Sequence, residues 1–241
     1  DSVSVRFGFA FPDIYEIGMS YMGMQILYDI LNKNDDIYCE RVFAPAEDME
    51  NLMRQTGREL FTLETLSPVK EMDILGFTLQ YELSYTNILN MLELGGIPLR
   101  REERGDDFPV IVAGGPCAYN PEPLADFIDV FLIGDGEDMQ EEICMAWKRS
   151  SSKDGFLKAV CGMDGVYVPA FYEPQYNDDG TVREIRKMYD GAPDRVRRAV
   201  VKDLDKASFP VKNIVPFIET VHDRSVVETF RGCTRGCRFC Q

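Results

Sequence analysis

Short apolar segments alternate with amphipathic segments from residue 3 to residue 148. The length of the apolar segments, and their content of β-branched and aromatic residues, are typical of buried strands. These predicted strands are residues 3–11, 37–43, 73–79, 109–113 and 128–133. Apolar residues at helical spacing predict helices at residues 20–31, 46–55, 84–93 and 137–148. The alternation predicts an α/β fold with a doubly wound parallel sheet.

The pattern changes after residue 160, where charged and turn-forming residues become more frequent. Residues 165–176 and 182–189 flank the polar turn NDDG, which predicts a β-hairpin. Residues 192–217 contain several prolines and charges and predict an irregular linker, and residues 225–230 predict a further strand. We therefore expect an α/β domain at residues 1–160, a hairpin and linker at residues 161–217, and the start of another domain at residues 218–241.

The loops that follow the predicted strands are the first candidates for a binding site. Ligands of doubly wound sheets bind beyond the carboxyl ends of the strands, which here lead into residues 12–18, 114–116 and 134–137. Two of these loops are rich in glycine, at Gly114, Gly115, Gly134 and Gly136. Glycine lets a backbone approach a ligand closely, but the same residues are also common in the turn that enters a helix.

Composition and charge exclude some classes of function. The 241 residues carry a net charge of −15, which disfavours a broad nucleic-acid interface on this part of the protein. No apolar run approaches the ~20 residues of a transmembrane helix, and we expect a cytoplasmic protein. Seven cysteines is an odd number, and four are scattered as expected for reduced packing residues. These four are Cys39, Cys117, Cys144 and Cys161.

The other three cysteines stand together in the stretch RGCTRGCRFC, as Cys233, Cys237 and Cys240. A structural zinc site would need a fourth protein ligand from elsewhere in the chain. A [4Fe–4S] cluster bound by three thiolates keeps one iron open, and an open iron can bind a substrate or a cofactor. Both metals are compatible with the spacing alone.

The spacing C-x-x-x-C-x-aromatic-C resembles the signature of the radical S-adenosylmethionine (radical SAM) enzymes, with Phe239 as the aromatic residue. The resemblance implies that Cys233, Cys237 and Cys240 bind three irons of a [4Fe–4S] cluster. It also implies that S-adenosylmethionine binds to the fourth iron, with Phe239 on the side of the cluster that faces it. One-electron cleavage of its sulfonium would then produce a 5′-deoxyadenosyl radical, with the electron supplied by a reductant such as flavodoxin or ferredoxin.

A wider resemblance covers nearly the whole chain, through FPDIYEIGMSYMGMQILYDILN, AGGPCAYNPEPLADFIDVFLIGDGE and VHDRSVVETFRGCTRGCRFCQ. These segments resemble a mostly uncharacterised bacterial group of radical SAM proteins with an N-terminal cobalamin-binding-like, Rossmann-like domain. The resemblance implies a corrin crevice at the following residues: Asp13, Tyr15, Gly18, Gly114, Gly115, Gly134, Gly136 and Glu137.

One position departs from the pattern of cobalamin proteins that ligate cobalt through D-x-H-x-x-G. This chain keeps Asp13 and Gly18 but has Tyr15 in place of the histidine, and a phenol of pKa about 10 is a poor substitute for imidazole. Either a corrin binds without a protein ligand, or the domain has kept the fold and lost the cofactor. The only histidine, His222, is either a base or hydrogen-bond donor near the cluster or a structural residue between domains.

The combined hypothesis is an N-terminal fragment of a radical SAM oxidoreductase that ends just after its cysteine motif. The first strand and cluster loop of a barrel would be present, and we expect the fragment alone to be inactive on an unknown substrate. Two alternatives remain. The first is a module that binds cobalamin or a partner without chemistry of its own. The second is an electron-transfer iron–sulfur protein, which a fourth thiolate from Cys39 or Cys117 would favour.

Overall fold

A six-stranded sheet forms the centre of the computed structural model, which describes residues 3–222, 224 and 226–238. The strand order is β2-β1-β3-β4-β5-β6, and the first five strands are parallel. The strands are β1 (Val5–Phe11), β2 (Ile37–Phe43), β3 (Ile74–Thr78), β4 (Val110–Gly114), β5 (Val130–Leu132) and β6 (Val166–Tyr167). The strands are almost wholly buried because helices cover both faces of the sheet, as expected for parallel strands.

Within the described residues, six α-helices connect or follow these strands. They are α1 (Tyr15–Gly18), α2 (Met22–Lys33), α3 (Glu47–Thr56), α4 (Tyr85–Leu94), α5 (Glu137–Arg149) and α6 (Lys153–Val160). Three acidic residues in the first turn of α3 face the positive end of its dipole, and Gly57 ends the helix in the left-handed conformation. The positions of the strands and long helices confirm the doubly wound α/β fold that the periodicity predicts.

Two apolar cores lie on opposite faces of the sheet. On one face, α2 and α5 pack against β1 and β5 through residues such as Met24, Met139 and Phe9. On the other face, α3 and α4 pack against β3 through Met53 and Phe77. The chain therefore crosses from one face to the other after β2, so that β1 lies between β2 and β3. This reversal of strand order creates a topological switch point at the carboxyl ends of β1 and β3.

The sheet extends beyond the boundary at residue 160 that the sequence suggests. Strand β6 pairs antiparallel with β5 through Phe131 and Leu132, and so forms an edge of the main sheet. The predicted hairpin forms from β7 (Tyr172–Tyr176) and β8 (Val182–Lys187), joined by a turn in which Gly180 has a φ of +82°. The irregular linker also contacts the main sheet, because Ala199 forms a bridge with Gly134. The three-part division of the chain stays a prediction.

The strand predicted at residues 225–230 is wrong for the described part of that range, since residues 226–230 adopt no regular secondary structure. Ser225 lies outside the described residues. Apolar residues alone do not make a strand, because the backbone also needs a neighbouring strand to accept and donate hydrogen bonds. No β-pairing with this segment occurs within the described ranges.

None of the helices in the described part of the chain combines the length and the apolar character that crossing a bilayer requires.

Candidate functional site

A crevice of about 560 Å³ opens at the switch point, on the face of the sheet covered by α2 and α5. Its floor consists of residues near the carboxyl ends of four strands: Phe9, Thr78, Gly114 and Leu132. Leu27 of α2 and Met139 of α5 form its walls. The small side chains at the ends of β3 and β4 leave space that larger residues would fill, so the crevice follows directly from the sequence of these strands.

Two polar atoms in this crevice are buried without a partner. Thr78 and Gln140 are 5% and 8% exposed, and both line the crevice. Thr78 Oγ1 and Gln140 Oε1 have no hydrogen-bond partner in the described part of the chain, and we call them the two open atoms. A buried polar atom left without a partner costs about 1–3 kcal/mol, so such atoms in a crevice call for an explanation.

The four predicted glycines all line the crevice, but they do so for different reasons. Gly115 and Gly134 have φ values of +121° and +113°, which disfavour any side chain. A Cβ at Gly115 would lie 2.8 Å from the Leu79 carbonyl oxygen, and a Cβ at Gly134 would lie 2.1 Å from that of Ala199. These two glycines therefore allow close packing of backbone against backbone.

Gly114 and Gly136 are the two crevice glycines at which a side chain would meet no severe clash. A Cβ at either position would make only ordinary contacts of 3.4 Å, with Leu132 and Leu27 respectively. Gly136 has a φ of −91° and a ψ of −10°, which any residue can adopt. Its absence of a side chain is not required by the backbone.

Acidic residues at the rim of the crevice bind the segment that leads into the cysteine motif. Arg231 Nη1 lies 3.4 Å from a carboxylate oxygen of Asp135, and Arg231 Nη2 donates a hydrogen bond to Glu137. Arg231 Nε also donates to Glu228 Oε1 at 2.7 Å. Arg231 and Glu228 themselves line the crevice, so residues near the cysteines form one of its sides.

The ion pair between Arg231 and Glu228 shifts the pKa values of its two members in opposite directions. The hydrogen bond to Glu228, with a smaller contribution from Glu137, raises the pKa of Arg231 above its usual value. The same bond lowers the pKa of Glu228 below 4.5. Burial raises the pKa of Tyr21, another crevice residue, above 10.0. Arg231 and Glu228 therefore stay charged at neutral pH, and Tyr21 keeps its phenolic proton.

The cysteine motif lies in an exposed loop, as far as the structure describes it. Cys233 and Cys237 are exposed, whereas Phe239 and Cys240 lie outside the described residues. Gly232 and Gly236 precede the two described cysteines with φ values of +92° and +60°. Among the described residues, no group of three or more histidine, cysteine, aspartate or glutamate side chains is arranged so that it could hold a metal ion.

The four scattered cysteines are buried, as the sequence suggests. Burial raises the pKa of each thiol above 9.0, most clearly for Cys39 in β2 and Cys144 in α5. Thiols of this kind are protonated at neutral pH and react slowly. Neither Cys39 nor Cys117 belongs to a metal-binding group in the described part of the chain.

Asp13, Tyr15 and Gly18 lie at a different place from the glycines. Tyr15 packs edge-on against Phe43 and stacks on Phe217, and its oxygen accepts a hydrogen bond of 2.8 Å from the Phe217 backbone N–H. It lines a separate cavity of about 200 Å³ on the α3 side. Of the proposed corrin residues, the structure thus groups five around the crevice and leaves these three apart.

The neighbours of Asp13 and Gly18 explain why those residue types occur there. Asp13 accepts hydrogen bonds from the Ile14 backbone N–H at 2.8 Å and from the Tyr81 hydroxyl at 3.2 Å. A Cβ at Gly18 would lie 2.3 Å from the Phe43 ring, so a larger residue would displace that ring. Both residues have structural roles in the loop after β1.

His222 is exposed beside α1, where its backbone N–H donates a hydrogen bond of 3.1 Å to Ser20 Oγ. The Val221 backbone N–H also reaches the Glu16 carbonyl oxygen, at 3.4 Å. These backbone contacts attach the segment before the cysteine motif to the loop after β1. They are compatible with the structural role that the sequence offers as one alternative for this residue.

Comparison with known proteins decides the family of this chain. Residues 23–169, which are more than half of it, match the family model described as "Radical SAM proteins, N-terminal". The chain belongs to this family. The matched range contains the four glycines and both open atoms of the crevice, whereas the cysteine motif follows it.

The relatives of this radical SAM N-terminal domain are distant. The uncharacterized protein MJ0966 of Methanocaldococcus jannaschii is 24% identical over 231 residues, which are 95% of this chain and 39% of that protein. The chain therefore spans well under half the length of this relative. The solved structure of the radical S-adenosylmethionine methyltransferase TsrM from Kitasatospora setae, with tryptophan substrate and a SAM analogue bound, has a TM-score of 0.40. The two proteins are 13% identical, and the match covers 73% of this chain and 29% of the TsrM chain. A match this distant supports no conclusion about function.

Sequence reasoning missed the residues that give the crevice its chemistry. Gln140 stands on the buried side of α5 with Met139 and Ile143, and a polar residue on an apolar face is a signal that can be found in a sequence. Thr78 gives no such signal, because threonine is common in strands. Two of the partners of Arg231, Asp135 and Glu137, lie far earlier in the chain, within the radical SAM N-terminal domain, a separation that periodicity does not reveal.

Proposed function

We propose that this radical SAM N-terminal domain is part of an enzyme that reductively cleaves S-adenosylmethionine. In this proposal Cys233, Cys237 and Cys240 bind three irons of a [4Fe–4S] cluster. The two described thiols are exposed on a glycine-containing loop, and thiolates are the usual ligands of such clusters, so the residues present fit this group. When bound, the cluster and S-adenosylmethionine would supply a 5′-deoxyadenosyl radical for an unidentified substrate.

The observation that carries the proposal is the attachment of the cysteine segment to the family domain. Arg231 precedes Cys233 by two residues and is ion-paired with Glu137 at the start of α5 and Asp135 before it. The side chains of Glu137 and Arg231 are 9% and 27% exposed, so this contact is partly shielded from water. We propose that the α/β domain holds the cysteine loop beside the crevice through Arg231.

Reconstitution of the full-length protein under anaerobic conditions tests this function. We expect iron and sulfide to bind in a ratio typical of one [4Fe–4S] cluster, and 5′-deoxyadenosine to form only when dithionite is present. Cys233→Ala should lose both the cluster and the product, whereas Cys144→Ala, which removes a buried thiol, should keep both. A fully loaded cluster that yields no 5′-deoxyadenosine would refute the proposal.

The role of Arg231 is tested with a measurement other than activity. Arg231→Gln should lower the iron content after reconstitution, because the cysteine loop loses its attachment to Glu137. Arg238→Gln is a suitable control in the same loop. If both variants bind iron as well as the original protein, Arg231 does not position the loop.

A corrin bound through a protein ligand does not fit the residues present. The Tyr15 hydroxyl accepts a hydrogen bond from the Phe217 backbone, and its ring packs between Phe43 and Phe217. The second candidate function is a module that binds cobalamin through the crevice alone, without a protein ligand to cobalt. The position of the crevice favours this candidate, because it lies at the end of the sheet where such folds bind ligands. Retention of hydroxocobalamin through gel filtration, seen by visible absorption, would support that candidate.

An electron-transfer iron–sulfur protein is less well supported. A fourth thiolate from Cys39 or Cys117 would favour it, but both are buried core residues. Such a protein would show a reversible cluster signal with no consumption of S-adenosylmethionine. The expected electron donor of the enzyme, a flavodoxin or ferredoxin, is part of the proposal and is tested by replacing dithionite with either protein.

A further inference from the structure

We infer that the crevice is a binding site for an uncharged nucleoside with an amino group on its base. The base would bind to the two open atoms, Thr78 Oγ1 and Gln140 Oε1. This inference goes beyond the proposed cluster chemistry, since every residue that carries it belongs to the crevice and not to the cysteine motif. Hydrogen bonding, shape and charge support it separately.

The hydrogen-bonding argument begins from the chemistry of the two open atoms. An amide oxygen only accepts hydrogen bonds, so a ligand that satisfies Gln140 must present an N–H or O–H group. A threonine hydroxyl both donates and accepts. An amino group beside a ring nitrogen offers a donor for Gln140 and an acceptor for Thr78. Bases such as adenine have this arrangement.

The shape of the crevice favours a flat apolar body. Its volume of about 560 Å³ is within the usual range of small-molecule sites, about 300–1,000 Å³. Phe9 and Tyr21 contribute aromatic surface, and Leu27 and Leu132 contribute aliphatic surface. Aromatic rings pack well against such walls, because they bury a large area with few rotatable bonds.

The charges at the rim disfavour a phosphate. Among the described residues, the crevice is lined by four acidic or basic side chains: Asp135, Glu137, Glu228 and Arg231. Three carboxylates outweigh one guanidinium, and Arg231 is already paired with all three acids. A phosphate group would meet net negative charge and no free cation among these residues. We therefore expect a nucleoside to bind in preference to a nucleotide.

Isothermal titration calorimetry with the full-length protein tests this inference. We expect adenosine to bind, and both purine riboside, which lacks the amino group, and adenosine 5′-monophosphate to bind at least tenfold more weakly. Gln140→Leu and Thr78→Val should each weaken adenosine binding about tenfold or more, since each removes one buried hydrogen bond. Gln175→Leu and Thr181→Val, in the exposed hairpin, are matched controls that should change nothing.

A second measurement separates a ligand role from a structural role. Without ligand, Gln140→Leu should leave the urea midpoint unchanged or raise it, because it removes a buried oxygen that has no partner in the described part of the chain. Gly136→Val should block adenosine while the protein stays folded, since its side chain would enter the crevice without backbone strain. This variant keeps the inference testable if a Gln140 variant does not fold.

Several outcomes would overturn the inference. The inference is wrong if adenosine does not bind, or if purine riboside or adenosine 5′-monophosphate binds as tightly as adenosine. It is also wrong if the crevice variants bind adenosine with unchanged affinity. Finally, it is wrong if hydroxocobalamin binds more tightly than adenosine and Gly136→Val abolishes that binding. Adenosine bound only at the proposed S-adenosylmethionine site would show no response to the crevice variants. Cys233→Ala should lose the cluster and keep adenosine binding, so failure of this inference and failure of the proposed function are distinguishable.

Discussion

The buried ion pair between Arg104 and Asp129 provides the sharpest test of how the sheet is stabilised. The Arg104 side chain is fully buried, and its Nη2 lies 3.2 Å from Asp129 Oδ1. Arg104 also donates hydrogen bonds of 2.7–2.9 Å to three backbone carbonyls, those of Pro98, Leu99 and Phe127. One guanidinium thus joins the segment before β4 to the segment before β5.

Replacing Arg104 with methionine would keep most of the volume and remove the charge. Asp129 would stay buried at 4% side-chain exposure, supported by the hydrogen bond of 2.8 Å that its Oδ2 accepts from the Ile111 backbone N–H and by the nearby charge of Lys153. Removing one partner of a buried pair typically costs about 3–5 kcal/mol, because the other charge is left uncompensated. This is a large part of a total stability of about 5–15 kcal/mol.

Urea denaturation followed by circular dichroism measures the effect. With an m-value of about 3 kcal/mol/M, Arg104→Met should lower the midpoint by roughly 1 M or more. Arg100→Met is the matched control, because Arg100 pairs with Asp126 on the surface at 2.9 Å and such pairs contribute about 0–1 kcal/mol. Adding Asp129→Asn to Arg104→Met should recover part of the loss. Equal midpoints for the Arg104 and Arg100 variants would refute the reasoning.

Two further predictions follow from the glycines and the cysteines. Gly134→Ala should destabilise the protein by about 1–3 kcal/mol or more, because the φ of Gly134 is +113° and a Cβ would meet the Ala199 carbonyl oxygen. Gly136→Ala should change the stability by less than about 0.5 kcal/mol, because Gly136 has an ordinary backbone conformation. The urea midpoints of the two variants test this difference. Iodoacetamide at pH 8 should label Cys233 in the native cluster-free protein and leave Cys39 unlabelled until urea is added, since burial raises the pKa of the Cys39 thiol. Peptide mass mapping checks this, and equal labelling rates would contradict it.

Local patterns were sufficient to predict the five parallel strands and four of the helices of the α/β domain, but not α1 or α6. Residues 37–43 are predicted and observed as the same strand, and the predicted helix at residues 137–148 differs from α5 by one residue at its end. These elements are defined by periodicity within about ten residues, and their burial follows from the same periodicity. The pattern failed at residues 226–230, where apolar residues occur without a neighbouring strand in the described structure.

The candidate site was predictable only in part. Because parallel strands end at one edge of the sheet, the sequence indicates that the loops with Gly114 and Gly136 lie at that edge, and both residues line the crevice. The sequence does not show that Ala199 fills the space beside Gly134, or that Tyr15 packs against Phe217 instead of facing the crevice. Both facts depend on which distant segment covers each loop.

The sequence by itself determined the α/β class, the buried strands, the glycine loops and the cysteine motif. Each of these depends on residue type and local spacing, which are properties of short stretches of chain. Only the tertiary structure decided the strand order, the antiparallel β6, the open atoms of Thr78 and Gln140, and the partners of Arg231. Those features depend on contacts between residues that are far apart in sequence. The sequence around each residue is the same whether or not a distant partner lies beside it, so local patterns do not reveal such contacts.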